Sequence, residues 1–232
     1  LLLIQLLTKM RYPKLLLLAI GIVLSFNTYS QNKIKYVFSQ DSIQLGIEMN
    51  DEGNYDRAIE LFEKVAPGDT NYELAIYEKC LSLVNAERYD EAIQLCRTGI
   101  TFKNENQAQF YNLLGTSYDL KEDPAKAVEV YTEAIDRFPM SYDLYYNRSV
   151  VHIAAEQYNE AYNDLKRSLE INPFHPGSHL ALADLALNER QFAQSLMAIA
   201  FYLMLEPTTQ RANDNLVKYN SAVSENIELQ PK

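Results

Sequence analysis

The side chains able to carry out covalent or metal chemistry in this chain are few and poorly grouped. Histidines occur at 152, 175 and 179 and cysteines at 80 and 96. His175 and His179 stand four residues apart, a spacing that places two rings on one helix face, yet no third ligand accompanies them and a metal site needs three or four. The intervening Pro176 and Gly177 read as a helix start instead. His152 falls on the apolar side of a periodic segment, where it reads as a packed residue rather than a base. Cys80 and Cys96 lack the Cys-x-x-Cys spacing of a redox or zinc pair. The chain contains no glycine-rich phosphate loop, no Gly-x-Ser-x-Gly elbow and no His-Glu-x-x-His helix. Acids such as Glu60, Glu63, Glu129 and Glu133 recur at helical spacing, as solvated outer faces do. The pattern therefore predicts no enzyme, no catalytic residue, no metal and no cofactor, and turns attention to binding.

Composition narrows the scaffold. The 232 residues are 47% hydrophobic and 22% charged, ordinary for a globular chain and unlike a mucin, a collagen or a polytopic membrane protein. Seven glycines and eight prolines leave little material for the turns of an all-β fold and point to helices. With 21 Lys and Arg against 31 Asp and Glu the net charge is −10, which excludes an electrostatic grip on nucleic acid or on an anionic membrane. At the amino end Met10-Arg11-Tyr12-Pro13-Lys14 precedes the apolar stretch Leu15 to Phe26 and the small residues Thr28 to Ser30. That order describes a secretory signal peptide over residues 1–30, with the true start at Met10, or else an uncleaved anchor. The stretch is short for a spanning helix. Export to a periplasm or beyond is expected, without stable membrane insertion once the signal is cleaved, and residues 31–38 form a lead-in.

The elements that would hold a binding surface repeat. Asn54-Tyr55-Asp56-Arg57-Ala58-Ile59 aligns with Arg88-Tyr89-Asp90-Glu91-Ala92-Ile93, and the alanine recurs as Ala127, Ala161 and, changed, Ser195, at intervals of 34 or 35 residues. Such a period signifies stacked supersecondary units. Apolar residues fall at three- and four-residue intervals on both sides of a polar break, so each unit is a pair of amphipathic helices. Gly46, Gly115, Ser149 and Ala183 hold corresponding places in first helices, and the alanine series in second helices, where two backbones must come close. Pro139, Pro173 and Pro207 end the later units.

Tyr111, Leu114, Gly115, Tyr118, Ala127, Tyr131, Ala134 and Pro139 resemble the 34-residue motif of the tetratricopeptide repeat family. The resemblance covers about residues 39–208. It is weakest at Lys79-Cys80, where the family has Leu-Gly, and at Tyr202, where it has a small residue. It implies an all-α, right-handed α-solenoid of about five helix-turn-helix repeats, closed over residues 209–232 by a capping helix whose apolar face is Ala212, Leu216, Tyr219 and Val223. It also implies that first helices line a concave groove that takes a partner peptide or helix. Carrying the register along gives Tyr77, Leu81 and Asn85 in the second repeat, Asn112 and Thr116 in the third, Tyr146, Asn147 and Val150 in the fourth and Asp184 in the fifth. Tyrosines supply contact area and amides pair with backbone groups.

One subclass of the family grips acidic chaperone tails with basic and amide residues, and Tyr145-Tyr146-Asn147-Arg148-Ser149 is superficially similar. Gly177 and Ala181 stand where that clamp would need basic residues, and Asp143 and Asp184 would repel a carboxylate. Cys80 and Cys96 face each other across the second hairpin, so in an exported protein they either form a disulfide, worth on the order of 3 kcal/mol for a loop of about 15 residues, or pack as buried thiols. The expected function is a non-catalytic protein-interaction scaffold of the cell envelope. Its alternatives are a regulatory segment of a larger exported enzyme or complex, and a self-associating module, that is, a homo-oligomer.

Overall fold

Where two helices must nearly touch, one of them has to give up its side chain, and these positions organise the chain. The computed structural model describes residues 39–102 and 106–228, so the proposed signal peptide and lead-in lie outside the described residues. Among the described residues every regular element is a helix. The chain divides into two compact units, one ending at Ala86 and one beginning at Glu87. The first unit contains α1 (residues 39–51), α2 (Tyr55–Phe62) and α3 (Tyr72–Asn85). The second contains α4 (Tyr89–Gly99), α5 (Gln107–Leu120), α6 (Pro124–Arg137), α7 (Tyr142–Ala154), α8 (Tyr158–Ile171), α9 (Pro176–Asn188), α10 (Phe192–Leu205) and α11 (Gln210–Glu228). The chain is an all-α helical-repeat solenoid, as its period requires.

In the first unit Ile43, Ala58, Phe62, Val65 and Ala75 form one buried cluster. Gly46 of α1 lies beneath the Phe62 ring, where a β-carbon would come within 2.5 Å of the ring edge. The third repeat does the same in the second unit, with Gly115 of α5 beneath Tyr131 of α6, again 2.5 Å from the position of a β-carbon. Ala58, Ala92, Ala127 and Ala161 are all fully buried, and so are Ser149 and Ala183. Within the second unit consecutive helices pack against each other, and the first helices α5, α7 and α9 also touch at one-repeat separation. There the first helices make a continuous layer.

The turn inside each repeat has a feature that its sequence hides. Gly53, Glu87, Glu122, Glu156 and Arg190, spaced by about one repeat, all adopt left-handed backbone, with φ between 57° and 80°. In the third, fourth and fifth repeats the next residue's amide N–H reaches back five residues: Asp123 donates to the Tyr118 carbonyl at 2.9 Å, Gln157 to His152 and Gln191 to Ala186 at 2.8 Å each. This closure satisfies the last carbonyls of each first helix and is usually made with glycine. Only the first repeat supplies one. The second helices α6, α8 and α10 then stop two residues before Pro139, Pro173 and Pro207.

The carboxyl end departs from expectation in one place. Tyr202, bulky where a small residue is usual, is completely buried with Leu180, Ala198 and Ile199 because α11 turns the small Ala212 toward it, and Tyr219 completes the cluster. Leu216, expected on the same inner face, is instead 43% exposed, since Ala212 and Tyr219 already fill the contact.

Two substitutions test the packing rule and the turn. Gly115→Ala should destabilise the protein by about 1–3 kcal/mol, because the Tyr131 ring is fully enclosed and cannot swing aside. Glu156→Gly should stabilise by up to ~1 kcal/mol, as relief of the left-handed conformation outweighs glycine's entropy. Thermal or urea unfolding reads both signs, and stabilisation by Gly115→Ala would sink the close-contact account.

Candidate functional site

The first-helix layer is where the sequence places a groove, and the structure shows what its polar groups already do. In the first unit α3 carries Tyr77 and Leu81, both half-buried, and Asn85, which is exposed. The Asn85 amide donates to the side-chain oxygen of Asn50 on α1 at 3.3 Å, and the Ser82 hydroxyl donates to the same oxygen at 2.9 Å. In the second unit the Asn147 amide of α7 donates to the side-chain oxygen of Asn112 on α5 at 2.5 Å. Asp184 accepts from the Tyr219 hydroxyl at 2.8 Å and pairs with Lys218, both from α11. Each of these pairs joins two helices about one repeat apart. Thr116 instead stays within its own repeat, sharing a hydroxyl contact of 3.0 Å with Tyr131. Asn85, Asn112, Asn147 and Asp184, expected to meet a partner, thus also hold neighbouring helices together.

Tyr146 is placed differently. Its body packs on the cluster of Ala161, Leu165 and Leu185, and its ring meets His175 edge-on at 4.7 Å. Gly177 at the start of α9 leaves room for it, since a β-carbon there would sit 3.0 Å from the tyrosine ring. Beside Tyr146 opens a hollow of about 210 Å³ whose walls include Ile153, Gly177, Leu180, Asp184, Asn188 and Arg211. Its walls combine aliphatic side chains with a carboxylate and a guanidinium. Burial pushes the Asp143 carboxyl above its ordinary range, with His175 nearby pulling the other way, and burial does the same to Asp119. These two carboxyls therefore resist further desolvation beside another carboxylate. Val150 stands 39% exposed outside the hollow.

Arg211 is the residue that sequence reasoning missed. It is the first basic side chain of a helix read as a plain cap, and nothing in the repeat register points to it. A larger hollow of about 460 Å³ lies beside α6, lined in part by Arg97, Tyr111, Tyr118 and Glu133. Four of its polar groups pair with one another: Tyr111 donates to Glu133 at 2.7 Å and Arg97 to the Tyr118 hydroxyl at 2.8 Å. Burial, helped by Glu133, pushes the Tyr111 hydroxyl up to about 12.

The clamp-like Arg148 has a structural occupation. It donates to both carboxylate oxygens of Asp164 on α8, at 2.8 and 2.7 Å, and to Thr132 on α6 at 2.9 Å. His152 is buried with its Nδ1 2.6 Å from the Gln157 side-chain oxygen. Nδ1 of His175 lies 2.8 Å from the Ser178 hydroxyl and Nε2 of His179 lies 2.8 Å from the Pro173 carbonyl, so the two rings face separate partners. Cys80 on α3 and Cys96 on α4 are both thiols and completely buried.

Comparison with known proteins gives this layer a context. The tetratricopeptide repeat profile matches residues 112–176, the third and fourth repeats. The human protein O-mannosyl-transferase TMTC3 is 33% identical over 115 residues, which is 48% of this chain but 12% of that protein. The chain thus spans a small fraction of the curated relative it matches. Among solved structures, TTC0263, a tetratricopeptide-repeat protein of Thermus thermophilus, covers 80% of this chain and 98% of its own at 22% identity, with a TM-score of 0.65. PilW, a type IV pilus biogenesis factor, covers 80% and 86% at 22% identity with a TM-score of 0.63. At that identity the two structures speak for the fold alone.

The Arg148 assignment is open to measurement. Arg148→Ala strands the Asp164 carboxylate in the interior and should cost roughly 3–5 kcal/mol, whereas replacing both residues by apolar ones of similar volume should recover most of it. A urea-unfolding double-mutant cycle decides: additive losses would mean that the two side chains act independently.

Proposed function

Since this chain is a tetratricopeptide-repeat protein, we propose that it is a non-catalytic scaffold of the cell envelope that holds a segment of a partner protein against its first-helix layer. A fold of this kind is a protein-interaction scaffold. One observation carries it: the hollow beside Tyr146, which combines an aromatic wall, the aliphatic Ile153 and Leu180, and the oppositely charged Asp184 and Arg211. A partner residue seated there would bury apolar area against Tyr146 and Leu180 while its backbone met polar groups at the rim. Tyr146 is the anchor. Asn112, Asn147 and Thr116 frame the approach, and Tyr77, Leu81 and Asn85 form the corresponding surface of the first unit. The envelope assignment rests on the amino-terminal pattern of basic residues, apolar stretch and small residues, which also reads as an uncleaved anchor.

The charge distribution selects against one class of partner. Asp143 and Asp184 line the layer, and no basic residue stands at Gly177 or Ala181. An acidic tail would have to bring its carboxylates beside the Asp184 carboxylate and beside the Asp143 carboxyl, whose charged form burial already disfavours. Peptides with a neutral or basic character are the better fit.

A second reading, in which these repeats serve as a regulatory or assembly segment of a larger exported enzyme, is favoured by a specific observation. The 33% identical stretch of the human O-mannosyl-transferase TMTC3 makes up 12% of that protein, so comparable repeats do occur as a fraction of a longer chain. Among the described residues no helix is long and apolar enough to cross a membrane.

Affinity capture from an envelope fraction with the wild-type chain, Tyr146→Ala and Tyr77→Ala tests the primary reading. Loss of an anchor tyrosine at a hot spot costs about 2 kcal/mol or more, so a captured partner should bind Tyr146→Ala at least tenfold more weakly. Helical circular dichroism should stay unchanged. Equal capture by wild type and Tyr146→Ala would move the contact off this surface. In the same format a peptide with an acidic carboxyl-terminal tail should show no measurable binding; binding that Asn147→Ala abolishes would overturn the charge argument.

A further inference from the structure

We infer that the outer face of α10 is the contact surface of a symmetric dimer of this chain. The helix is apolar on nearly every side, Gln194 being its exposed polar residue. Its inner residues Ser195, Ala198, Ile199 and Tyr202 are buried against α9 and α11. Its outer residues Ala193, Leu196, Met197, Ala200, Phe201 and Met204 are all exposed, at the three- and four-residue intervals of a helix-packing seam. A helix without a polar face belongs in an interior, and half of this one faces solvent. Met204 is 75% exposed, Met197 66%, Phe201 51% and Leu196 43%. Tyr162 on α8 and Phe174 on the loop before α9 add to them at 45% and 74%.

Size, shape and charge favour a second copy as the occupant. At about 200 Å² for a fully exposed side chain of this class, these six residues present roughly 700 Å². Even without Phe174, whose share is the least central, about 560 Å² remains, at the top of the ~300–600 Å² of the largest patch on a typical monomer and a large part of the ~800 Å² that each partner contributes to a standard stable interface. The face also carries both halves of a fit. Between α8 and α10 lies a hollow of about 310 Å³ lined mainly by Tyr162, Leu169, Leu182, Met197 and Phe201, with Gln194 as a polar wall residue and His179 stacked on Phe201 at 5.3 Å, while Met204 lies one turn away. A two-fold axis at the small Ala200 lays two α10 helices antiparallel and sets Met204 of one copy opposite Leu196 of the other, beside its hollow. The chain's net charge of −10 opposes association of copies at most of its surface. The α10 helix contains no charged residue, so here two copies meet without like charges, whereas a charged partner would find nothing to pair with. Thioethers and rings adapt to each other at such a seam.

The test uses the full chain in sedimentation equilibrium over a dilution series, with the double variant Phe201→Glu/Met204→Glu alongside. Wild type should have the mass of two chains and fall to one on dilution, and the variant should have the mass of one chain throughout with an unchanged helical signal. Ala200→Cys, near the axis, should cross-link two chains under mild oxidation, while Glu129→Cys on another exposed face should not; this arm stands even where the double variant misfolds. Three results would overturn the inference: a single-chain mass for wild type at every concentration, a variant that dimerises as wild type does, or binding of neutral lipid vesicles that the variant abolishes. Partner capture through Tyr146 is a separate readout, so failure of either leaves the other standing.

Discussion

The close contact between a small residue on one helix and a large one on its neighbour sets everything else in this protein. Gly46 under Phe62 and Gly115 under Tyr131 show it in its barest form, since the ring occupies the space a β-carbon would need. No single hairpin can hide its apolar side, so each is completed only by the next, and the run of first helices becomes a surface as a consequence of packing. That surface owes its existence to the alanine series at the other helix of each pair, all of it excluded from solvent.

The polar side chains of the first helices are pulled two ways by this arrangement. Brought side by side at one-repeat separation, they find each other before they find a ligand: Asn147 bonds Asn112, Asn85 bonds Asn50, and Asp184 is taken by Tyr219 and Lys218. A partner that displaces such a pair must replace both halves, because an unpaired buried amide or carboxylate is costly. Apolar contact has no such competitor. This is why Tyr146, with its ring against His175 and its flank on an open hollow, is a better anchor than the amides around it, and why recognition here should be driven by shape and area more than by hydrogen bonds.

Much of this was legible in the sequence because packing at a fixed period leaves a mark on residue size. The glycine and alanine positions, the helix-ending prolines and the packed character of His152 all followed from spacing. The left-handed turns at Glu87, Glu122, Glu156 and Arg190 did not, since their residue types prefer other conformations and the repeat geometry imposes the turn on them. The pairing of Arg148 with Asp164 was not legible, because the two lie 16 residues apart on successive helices with no local signal linking them. Arg211 reaches the hollow from outside the repeat register. Leu216 matched the periodicity of an inner face, yet Ala212 and Tyr219 already satisfied the contact, so periodicity gave the stripe without its width.

The second helices of the larger unit show how evenly a solenoid can vary its outer layer while keeping its inner one. On α4, α6 and α8 the outward positions carry charged residues such as Asp90, Glu129, Arg137, Arg167 and Glu170, several of them in exposed ion pairs that contribute little to stability. Such faces keep a stacked array from stacking further. On α10 the same positions carry leucine, methionine, alanine and phenylalanine, although nothing in the hairpin itself requires it, because the inward contacts of Ala198, Ile199 and Tyr202 are complete without them. An apolar outer face on a helix already satisfied on its inner face is a liability unless something covers it. Covering it from the second-helix layer would leave Tyr146 and the first-helix layer open, so pairing of copies and capture of a partner segment would not compete. Two linked copies would instead present two such surfaces to one target and raise its effective affinity without any new contact at the groove.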